Sequence, residues 1–289
     1  MDICFVCTGN TCRSPMAQAA ALRTASERGL DVTVSSGGCA TVDGMPASQN
    51  SVAVCAANGL DISQHTSHQI TRDDLLPDRI FVCMTSSHEA WLSALGAQEK
   101  NIYRFDRQIP DPYGGDMDVY MQCFEEINEA VGRLLFRVAP NPADVTVRDA
   151  DAGDISEIAR LERECFSQPW SEKSLSEELE LADSVLLAAI RGGEIAGYIG
   201  MQHTGITGYI TNVAVFEKHR RQGVASALLR ALMERARALG ESEITLEVRS
   251  KNEGAIKLYE TAGFENIGKR PGFYTEPADD AVIMTARLD

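Results

Sequence analysis

The chain has 289 residues, of which 44% are hydrophobic and 24% charged. These values are ordinary for a folded globular protein and exclude the disordered and collagen-like classes, while the length predicts two domains of about 150 residues each. The net charge of −15 is spread over both halves, with 17 acidic and 10 basic residues up to position 140 and 25 and 17 after it. Neither half therefore has the basic surface of a nucleic-acid-binding module, and we expect no direct nucleic-acid partner.

The beginning of the chain and its cysteines indicate the cellular compartment. Residues 1–6 lack a basic segment leading into an apolar stretch and a cleavage site, so we predict no secretory signal. No apolar run reaches the length of about 18 residues that a membrane span needs, and we expect no membrane partner. Seven of the eight cysteines precede residue 140, without paired CxxC or zinc-ligand spacing. We expect a cytoplasmic protein that needs no metal, with mostly buried thiols of which one or two are chemically active.

Strands and helices alternate in the first half of the chain. Short apolar strands are predicted at 3–6, 32–35 and 79–84, and helices at 15–28 and 121–138. This order predicts an α/β domain with a doubly wound parallel sheet over residues 1–139. Pro140 and Pro142 interrupt the last helix, so residues 140–144 are predicted to be a linker.

The second half, residues 145–289, is predicted to be a mixed α/β domain that begins with antiparallel strands. A helix at 155–165 precedes strands at 184–190 and 194–201, which Gly192-Gly193 joins as a hairpin. Strands at 208–215 and 243–248 then alternate with helices at 226–239 and 252–262.

A candidate phosphate-binding loop follows the first predicted strand. The strand ends at Cys7, and Pro15 suits the first turn of the next helix. Between them, backbone N–H groups can converge on an anion at the helix N-terminus, in a loop made of Thr8, Gly9, Asn10, Thr11, Cys12, Arg13 and Ser14. The same positive potential would keep Cys7 as a nucleophilic thiolate, and Arg13 offers two donors to phosphoryl oxygens.

A thiolate that attacks phosphorus also needs an acid for the leaving group. Asp111, in the sequence Asp111-Pro112-Tyr113, is the best candidate because the proline stiffens a loop that can present a carboxyl group. With these residues, positions 1 to about 138 resemble the low-molecular-weight protein tyrosine phosphatase family. The resemblance implies that Cys7 forms a phosphocysteine, Arg13 binds the phosphoryl group, Asp111 is acid and then base, and Asn10 and Ser36 brace the loop.

Within that family, the segments 1–17 and 111–120 look most like bacterial protein arginine phosphatases. Thr11 supports this branch, because a hydroxyl group at this position suits a guanidinium group whereas most tyrosine-specific members have an apolar residue. We expect a phosphorylated protein as substrate, with phosphoarginine favoured over phosphotyrosine. Arsenate reduction is disfavoured because no cysteine follows Cys83 within a dozen residues. Cys12 is either an inert loop residue or a partner for a reversible disulfide with Cys7.

A second candidate anion site lies between a strand and a helix of the second half. Residues 220–225 have the form Arg-x-x-Gly-x-Ala, which makes a nest of backbone N–H groups suited to a pyrophosphate. With residues 169–172, 246–249 and 258–264, this half resembles the GCN5-related N-acetyltransferase (GNAT) family, and within it the ribosomal-protein alanine N-acetyltransferases. The resemblance implies acetyl-CoA as co-substrate, held by Val213, Ala214, Val215, Arg221, Gln222, Gly223, Val224, Ala225, Ser226 and Asn252.

The chemistry of acetyl transfer needs a base for the amine and an acid for the departing thiolate. Glu247 matches the base, acting directly or through water, and Tyr259 matches the acid; Phe273-Tyr274, in a predicted loop, would help to hold the peptide. We therefore predict a bifunctional enzyme, a protein phosphatase fused to an acetyltransferase for a ribosomal protein N-terminus. Two alternatives are a regulatory fusion, in which the phosphatase domain senses phosphoprotein or redox state, and an acetyltransferase for small amines.

Overall fold

The fold is known from a computed structural model that describes residues 1–139, 141–142 and 144–288. The chain divides into two compact units, the first made of Met1–Glu27 and Asp31–Ala139 and the second of Arg28–Leu30 and Pro140–Asp289. Two residues of the predicted 140–144 linker, 140 and 143, lie outside the described residues. Within the described part of the chain, no helix is both long and apolar enough to cross a membrane.

The first unit is an α/β fold built on a parallel sheet, as predicted. Within its described residues, the strands and helices in chain order are β1 (Asp2–Cys7), α1 (Arg13–Arg28), β2 (Thr33–Gly38), α2 (Gln49–Ala57), β3 (Arg79–Cys83), α3 (Ser86–Leu95), β4 (Ile102–Arg104) and α4 (Met117–Val138). The strand order is β2-β1-β3-β4, and all three pairings are parallel. The central strand β1 is buried from Ile3 to Cys7, as its apolar sequence requires. The carboxyl ends of β1, β2 and β3 thus meet at one edge of the sheet, where ligands of such folds bind.

Two helices of the first unit begin earlier than the sequence pattern predicts. The first starts at Arg13 instead of Pro15, so the end of the candidate phosphate loop is already its first turn. The last starts at Met117 instead of Met121 because the carboxylate of Asp116 accepts a hydrogen bond from the Val119 N–H at 3.1 Å and caps the helix there.

The second unit is a mixed sheet flanked by helices, as predicted. Within its described residues, the elements in chain order are β5 (Val145–Asp149), α5 (Ile155–Cys165), α6 (Glu172–Glu180), β6 (Ser184–Arg191), β7 (Glu194–His203), β8 (Thr207–Val215), α7 (Val224–Ala238), β9 (Glu243–Arg249), α8 (Glu253–Thr261), β10 (Glu265–Thr275) and β11 (Ala278–Arg287). The strand order is β10-β11-β9-β8-β7-β6-β5. Strands β5 to β8 are antiparallel neighbours, and β8 and β9 are the parallel pair.

The parallel pair β8 and β9 separates soon after it begins. The ladder joins Thr207–Tyr209 to Glu243–Thr245 and, among the described residues, ends there. Beyond Tyr209, strand β8 keeps its pairing with β7 as far as Val215. The backbone of 210–214 on the side facing β9 is therefore available to a ligand, whereas the Val215 carbonyl accepts a hydrogen bond from Arg220 Nε at 3.1 Å.

Phe273 and Tyr274 lie in strand β10, and the prediction that they belong to a loop is wrong. Pro271-Gly272 favoured a loop in the sequence. The strand accommodates this dipeptide in an irregular stretch between Arg270 and Tyr274, where the pairing with β11 shifts register. Gly272 has φ +61, a conformation that glycine adopts without a steric cost.

Candidate active sites

Cys7 ends β1, and its thiol group is surrounded by hydrogen-bond donors. The sulfur accepts the Asn10 N–H at 3.2 Å and lies 3.0 Å from the hydroxyl oxygen of Ser14. That oxygen accepts a hydrogen bond from the Asn10 side-chain amide at 2.8 Å, which leaves the Ser14 hydrogen free to point at the sulfur. Two donors and the N-terminus of α1 are thus directed at the sulfur that the sequence predicts to be the nucleophile.

Asn10 holds the loop in its curved conformation. Its φ of +50 lies in the left-handed region that Asn tolerates better than most residues. The side-chain amide also donates to Ser36 Oγ at 2.9 Å, and the amide oxygen accepts the His68 N–H at 2.8 Å. The carbonyl oxygen of Asn10 is bonded to His65 Nε2 at 2.7 Å. The predicted braces Asn10 and Ser36 are thus in contact.

Arg13 is buried below the same loop and is bound at one end. Its Nη2 donates to Asp111 Oδ2 at 2.8 Å and its Nη1 donates to the Ile109 carbonyl at 3.1 Å. Its Nε is buried and, among the described residues, has no hydrogen-bond partner. A buried donor without an acceptor is costly and rare in proteins, so this nitrogen indicates a place for an anion.

Asp111 is the only acidic group that the structure's described residues place in an ion pair with Arg13. Its side chain is half exposed, and its other oxygen accepts the N–H of Tyr113 at 3.3 Å. Tyr113 is 81% exposed. The loop therefore brings the predicted acid to the phosphate loop and leaves an aromatic ring on the surface beside it.

The remaining loop residues have distinct surroundings. The Thr11 carbonyl accepts the N–H of Ser48 at 2.8 Å. The hydroxyl oxygen of Thr11 lies 3.7 Å from the sulfur of Cys12. The Cys12 thiol is buried against the hydroxyl group of Tyr120 at 3.3 Å, and both Cys7 and Cys12 are free thiols. Thr8 is exposed, and its hydroxyl oxygen lies 3.0 Å from Nε2 of His88.

Other thiols of this unit are kept protonated by burial. Burial raises the pKa of Cys55 to about 11 and that of Cys4, Cys39 and Cys123 to about 12. It also raises the pKa of Cys83. A protonated thiol is a poor nucleophile, so these five cysteines are core residues.

Four residues of this site were missed by the sequence analysis: His65, His68, His88 and Gln18, whose amide oxygen accepts the Ser36 hydroxyl hydrogen at 2.7 Å. His65 and His68 carry no signal, because they reach Asn10 from a loop more than 50 positions away. His88 had a signal in the sequence, because it follows a predicted strand that lies next to β1. The carboxyl ends of neighbouring parallel strands share one edge of the sheet.

In the second unit, the predicted pyrophosphate loop leads into α7. Arg221 has φ +59 and Gly223 has φ +79, which turns the chain sharply before the helix. Gly223 is the N-cap and supplies no side-chain cap to the helix. The first N–H groups of α7, at Val224, Ala225 and Ser226, are thus positioned to bind an anion. Asn252 has a different contact, since its side chain caps α8 by accepting the Ala255 N–H at 3.1 Å.

Glu247 lies on β9, next to the opening between β8 and β9. Its carboxylate pairs with Arg270 Nη1 at 2.7 Å and accepts a hydrogen bond from the hydroxyl group of Tyr209. The side chain is 9% exposed. Tyr274 donates to the Glu247 carbonyl at 3.3 Å. Burial raises the pKa of Tyr259, the predicted acid, and so does Tyr274. Tyr274 thus influences both predicted catalytic residues.

A buried carboxylate, Glu162, connects α5 to the strands below the opening. It is fully buried and accepts hydrogen bonds from the Asn212 amide at 2.8 Å, from the backbone N–H of Trp170 at 2.7 Å and from the hydroxyl group of Tyr198. Asn212 precedes Val213, the first of the three predicted cofactor-binding residues on β8. Glu162 therefore fixes β8 relative to the loop before α6.

Comparisons with known proteins identify the two units separately. The family model described as low molecular weight phosphotyrosine protein phosphatase matches residues 2–144, and the acetyltransferase (GNAT) family model matches residues 155–264. A protein-arginine-phosphatase of Bacillus subtilis (strain 168) is 31% identical over 46% of this chain and 94% of its own length. A low molecular weight protein-tyrosine-phosphatase of Staphylococcus haemolyticus is 34% identical over 46% of this chain and 97% of its own length.

The second half of the chain also has a named relative, an acetyltransferase. A Bacillus subtilis (strain 168) protein named as a putative ribosomal protein bS18-alanine N-acetyltransferase is 32% identical over 50% of this chain and 95% of its own length. The chain therefore belongs to two families at once, to the low-molecular-weight protein tyrosine phosphatases through its first half and to the GNAT acetyltransferases through its second.

Proposed function

We propose that the first unit is a cysteine-dependent protein phosphatase that works through a phosphocysteine and prefers phosphoarginine. The observation that carries the phosphatase proposal is the buried Nε of Arg13, which has no hydrogen-bond partner in the described part of the chain, next to the donor-lined thiol of Cys7. A phosphoryl group bound there would give this nitrogen its acceptor and place phosphorus in reach of the sulfur.

The steps balance with the residues present. The Cys7 thiolate attacks phosphorus, the S–P bond forms, and the bond to the leaving nitrogen or oxygen breaks as Asp111 gives that atom a proton. Water then attacks the phosphocysteine and gives a proton to Asp111, the S–P bond breaks, and the thiolate and inorganic phosphate result. Because a phosphoryl dianion competes with Asp111 for the Arg13 guanidinium, substrate binding would itself release the carboxyl group for this work.

Phosphoarginine is favoured over phosphotyrosine by Thr11 and by the 31% identity to a protein-arginine-phosphatase. The half-buried Thr11 hydroxyl is one residue from the nucleophile's hydrogen-bond partner Asn10 and can bond to a guanidinium N–H. The 34% identity to a tyrosine phosphatase keeps phosphotyrosine as the second candidate.

Both points are tested with phosphoarginine-protein and phosphotyrosine-peptide substrates. We expect Cys7→Ser to reduce turnover of both to background. Thr11→Val removes only the hydroxyl group and should lower the ratio of kcat/KM for phosphoarginine to that for phosphotyrosine about tenfold, the worth of one hydrogen bond. If Thr11→Val leaves this ratio unchanged, the Thr11 hydroxyl group does not support a preference for phosphoarginine over phosphotyrosine. If neither substrate shows turnover that depends on Cys7, the phosphatase assignment fails and the regulatory fusion is favoured.

For the second unit we propose N-terminal acetylation of a ribosomal protein that begins with alanine, with acetyl-CoA as co-substrate. The GNAT family implies acetyl-CoA, and the residues suit it: among the described residues, β8 no longer pairs with β9 at Val213, and α7 offers its N-terminus to the pyrophosphate. The alanine-starting substrate is supported by the relative at 32% identity.

Glu247 and Tyr259 are proposed as base and acid. Each oxygen of a carboxylate has two acceptor positions, and Glu247 uses one for Arg270 and one for Tyr209, so a position on each oxygen remains for water or for the amine. The neutral amine attacks the acetyl carbon, the C–N bond forms and the C–S bond breaks. Glu247 takes the amine proton, directly or through water, and Tyr259, which burial keeps protonated, supplies one to the thiolate.

The acetyltransferase proposal is tested with a peptide that carries the alanine N-terminus, and with polyamines as competing acceptors. We expect Glu247→Gln to lower kcat/KM for the peptide most at neutral pH and below, where the amine is largely protonated, and Tyr259→Phe to lower kcat. Acetylation of polyamines without acetylation of the peptide would replace this assignment with the small-amine alternative. We propose that both activities are cytoplasmic, because all eight cysteines are free thiols, as in a reducing compartment.

A further inference from the structure

His88 is a buried histidine below the phosphate loop of the first unit. It lies in the first turn of α3, and 4% of its surface is exposed. The helix follows β3, which pairs in parallel with β1, so that His88 and the residues after Cys7 lie at the same edge of the sheet. None of the chemical steps above uses this imidazole.

Both ring nitrogens of His88 have a hydroxyl partner. Nε2 lies 3.0 Å from Thr8 Oγ1, and Nδ1 lies 3.1 Å from the hydroxyl oxygen of Thr85, the N-cap of α3. Burial and the nearby Arg13 lower the pKa of His88 to about 4. At neutral pH the ring is therefore neutral, with one donor and one acceptor nitrogen, and it links Thr8 to the start of α3.

Thr8 is the residue that this link would hold in place. It follows the nucleophile and is exposed, so packing alone does not fix it. Its carbonyl oxygen accepts the Ala40 N–H at 3.0 Å, and a Cβ at Gly38 would lie 2.8 Å from the same oxygen. Thr8 is thus held at its carbonyl oxygen by Ala40, which follows β2, and at its hydroxyl group by His88. Gly9, the next residue, has no side chain of its own to anchor the loop.

We propose that His88 is a positioning residue of the phosphatase reaction: by binding the Thr8 hydroxyl group, it fixes the peptide groups of Thr8 and Gly9 that face the phosphoryl oxygens. The proposal rests on the proposed phosphatase function of Cys7 and Arg13. Asn10 is held from the other side by His65, His68 and Ser36, and His88 is the counterpart of this brace at the beginning of the loop. Small errors in the position of such donors have large effects on rate.

Two conservative variants separate the two hydrogen bonds of the ring. The amide nitrogen of Gln at position 88 reaches as far as Nε2 and can still bind Thr8, whereas the shorter amide of Asn matches Nδ1 and can bind only Thr85. Both replace a buried ring with an amide, so both lose similar packing. We expect His88→Asn to lower phosphatase kcat/KM about tenfold or more, and His88→Gln to retain at least five times the value of His88→Asn.

Two further measurements distinguish positioning from a general loss of folding. Thr8→Val should lower kcat/KM as His88→Asn does, and the double variant should be no worse than either, because both remove one link. Equal losses in His88→Asn and His88→Gln, or losses that multiply in the double variant, would overturn the proposal.

A direct titration with inorganic phosphate, followed by phosphorus NMR, keeps this test independent of turnover. We expect His88→Asn to weaken phosphate binding and Cys7→Ser to preserve it. One outcome separates the two proposals: the wild type binds phosphate and His88→Asn binds it more weakly than His88→Gln, but no turnover depends on Cys7. In that case His88 positions the loop, and the proposed catalysis fails. If His88→Asn binds phosphate as the wild type does, the positioning role is wrong whatever the turnover.

Discussion

The neutral, buried state of His88 predicts a pH-dependent stability of the first unit. The pKa of His88 is about 4 in the folded protein, against an ordinary value of 6.5 that the unfolded chain would have. Between these values the unfolded chain binds the proton and the folded one does not, so the free energy of unfolding falls as the pH decreases. For this single group, the loss between pH 7 and pH 5 is about 2 kcal/mol.

The comparison that isolates this contribution is wild type against His88→Gln, since Gln does not titrate. His65, whose pKa is also lowered by burial, changes stability in the same direction in both proteins and cancels. The chain has two tryptophans, Trp91 in α3 and Trp170 in the second unit. In a Trp170→Phe background, urea unfolding followed by fluorescence reports on the first unit alone.

We expect the wild type to lose about 2 kcal/mol more than His88→Gln between pH 7 and pH 5. The contribution of His88 to the stability of the wild type is therefore nearly complete above pH 6.5 and decreases as the pH falls toward 4. Equal losses in the two proteins would refute the reasoning, because they would mean that His88 is protonated equally easily in the folded and unfolded chains.

Three other changes test other parts of the structure. Asn10→Ala should destabilise the first unit by about 1 kcal/mol more than Asn10→Gly in urea unfolding, since both lose the same hydrogen bonds but only alanine is strained at φ +50. Gly38→Ala should lower phosphatase kcat/KM about tenfold or more, because its Cβ would lie 2.8 Å from the Thr8 carbonyl; unchanged acetyltransferase activity is the internal control, and an unchanged phosphatase would contradict the close approach. Glu162→Gln should cost the second unit about 1–3 kcal/mol, measured by Trp170 fluorescence in a Trp91→Phe background, since an amide NH₂ would face a buried donor; no loss would mean that the three donors find other acceptors.

The order of the strands and helices was predictable from the sequence because local patterns determine it. Alternating apolar strands and helices gave the parallel sheet of the first unit, and Gly192-Gly193 marked the hairpin of the second, where both glycines have positive φ. The ends of helices depend on single caps and were less accurate. Asp116 moved the start of α4 four residues earlier than its apolar pattern begins.

Residues of the sites were predictable where one segment carries them, and unpredictable where distant segments meet. The loop from Cys7 to Ser14 is continuous in sequence, so its members could be named together. The partners of Asn10 come from residues 36, 65 and 68, and the pairing of Arg270 with Glu247 depends on a register between β11 and its two neighbours. No local pattern encodes such contacts, because they arise only when the sheets have formed.

The separation of β8 from β9 gives this sheet an edge in its interior. An ordinary sheet edge is a hazard, since any extended polypeptide can add to it. Here the backbone of 210–214 that faces β9 lies in a wedge that closes at Tyr209 and Thr245. A polypeptide strand carries side chains on both faces and needs about 4.8 Å of spacing to each neighbour along its length, which a narrowing wedge does not provide. We therefore propose that this opening takes a thin, amide-bearing chain such as the pantetheine arm of CoA and resists the addition of a further polypeptide strand at the same backbone groups.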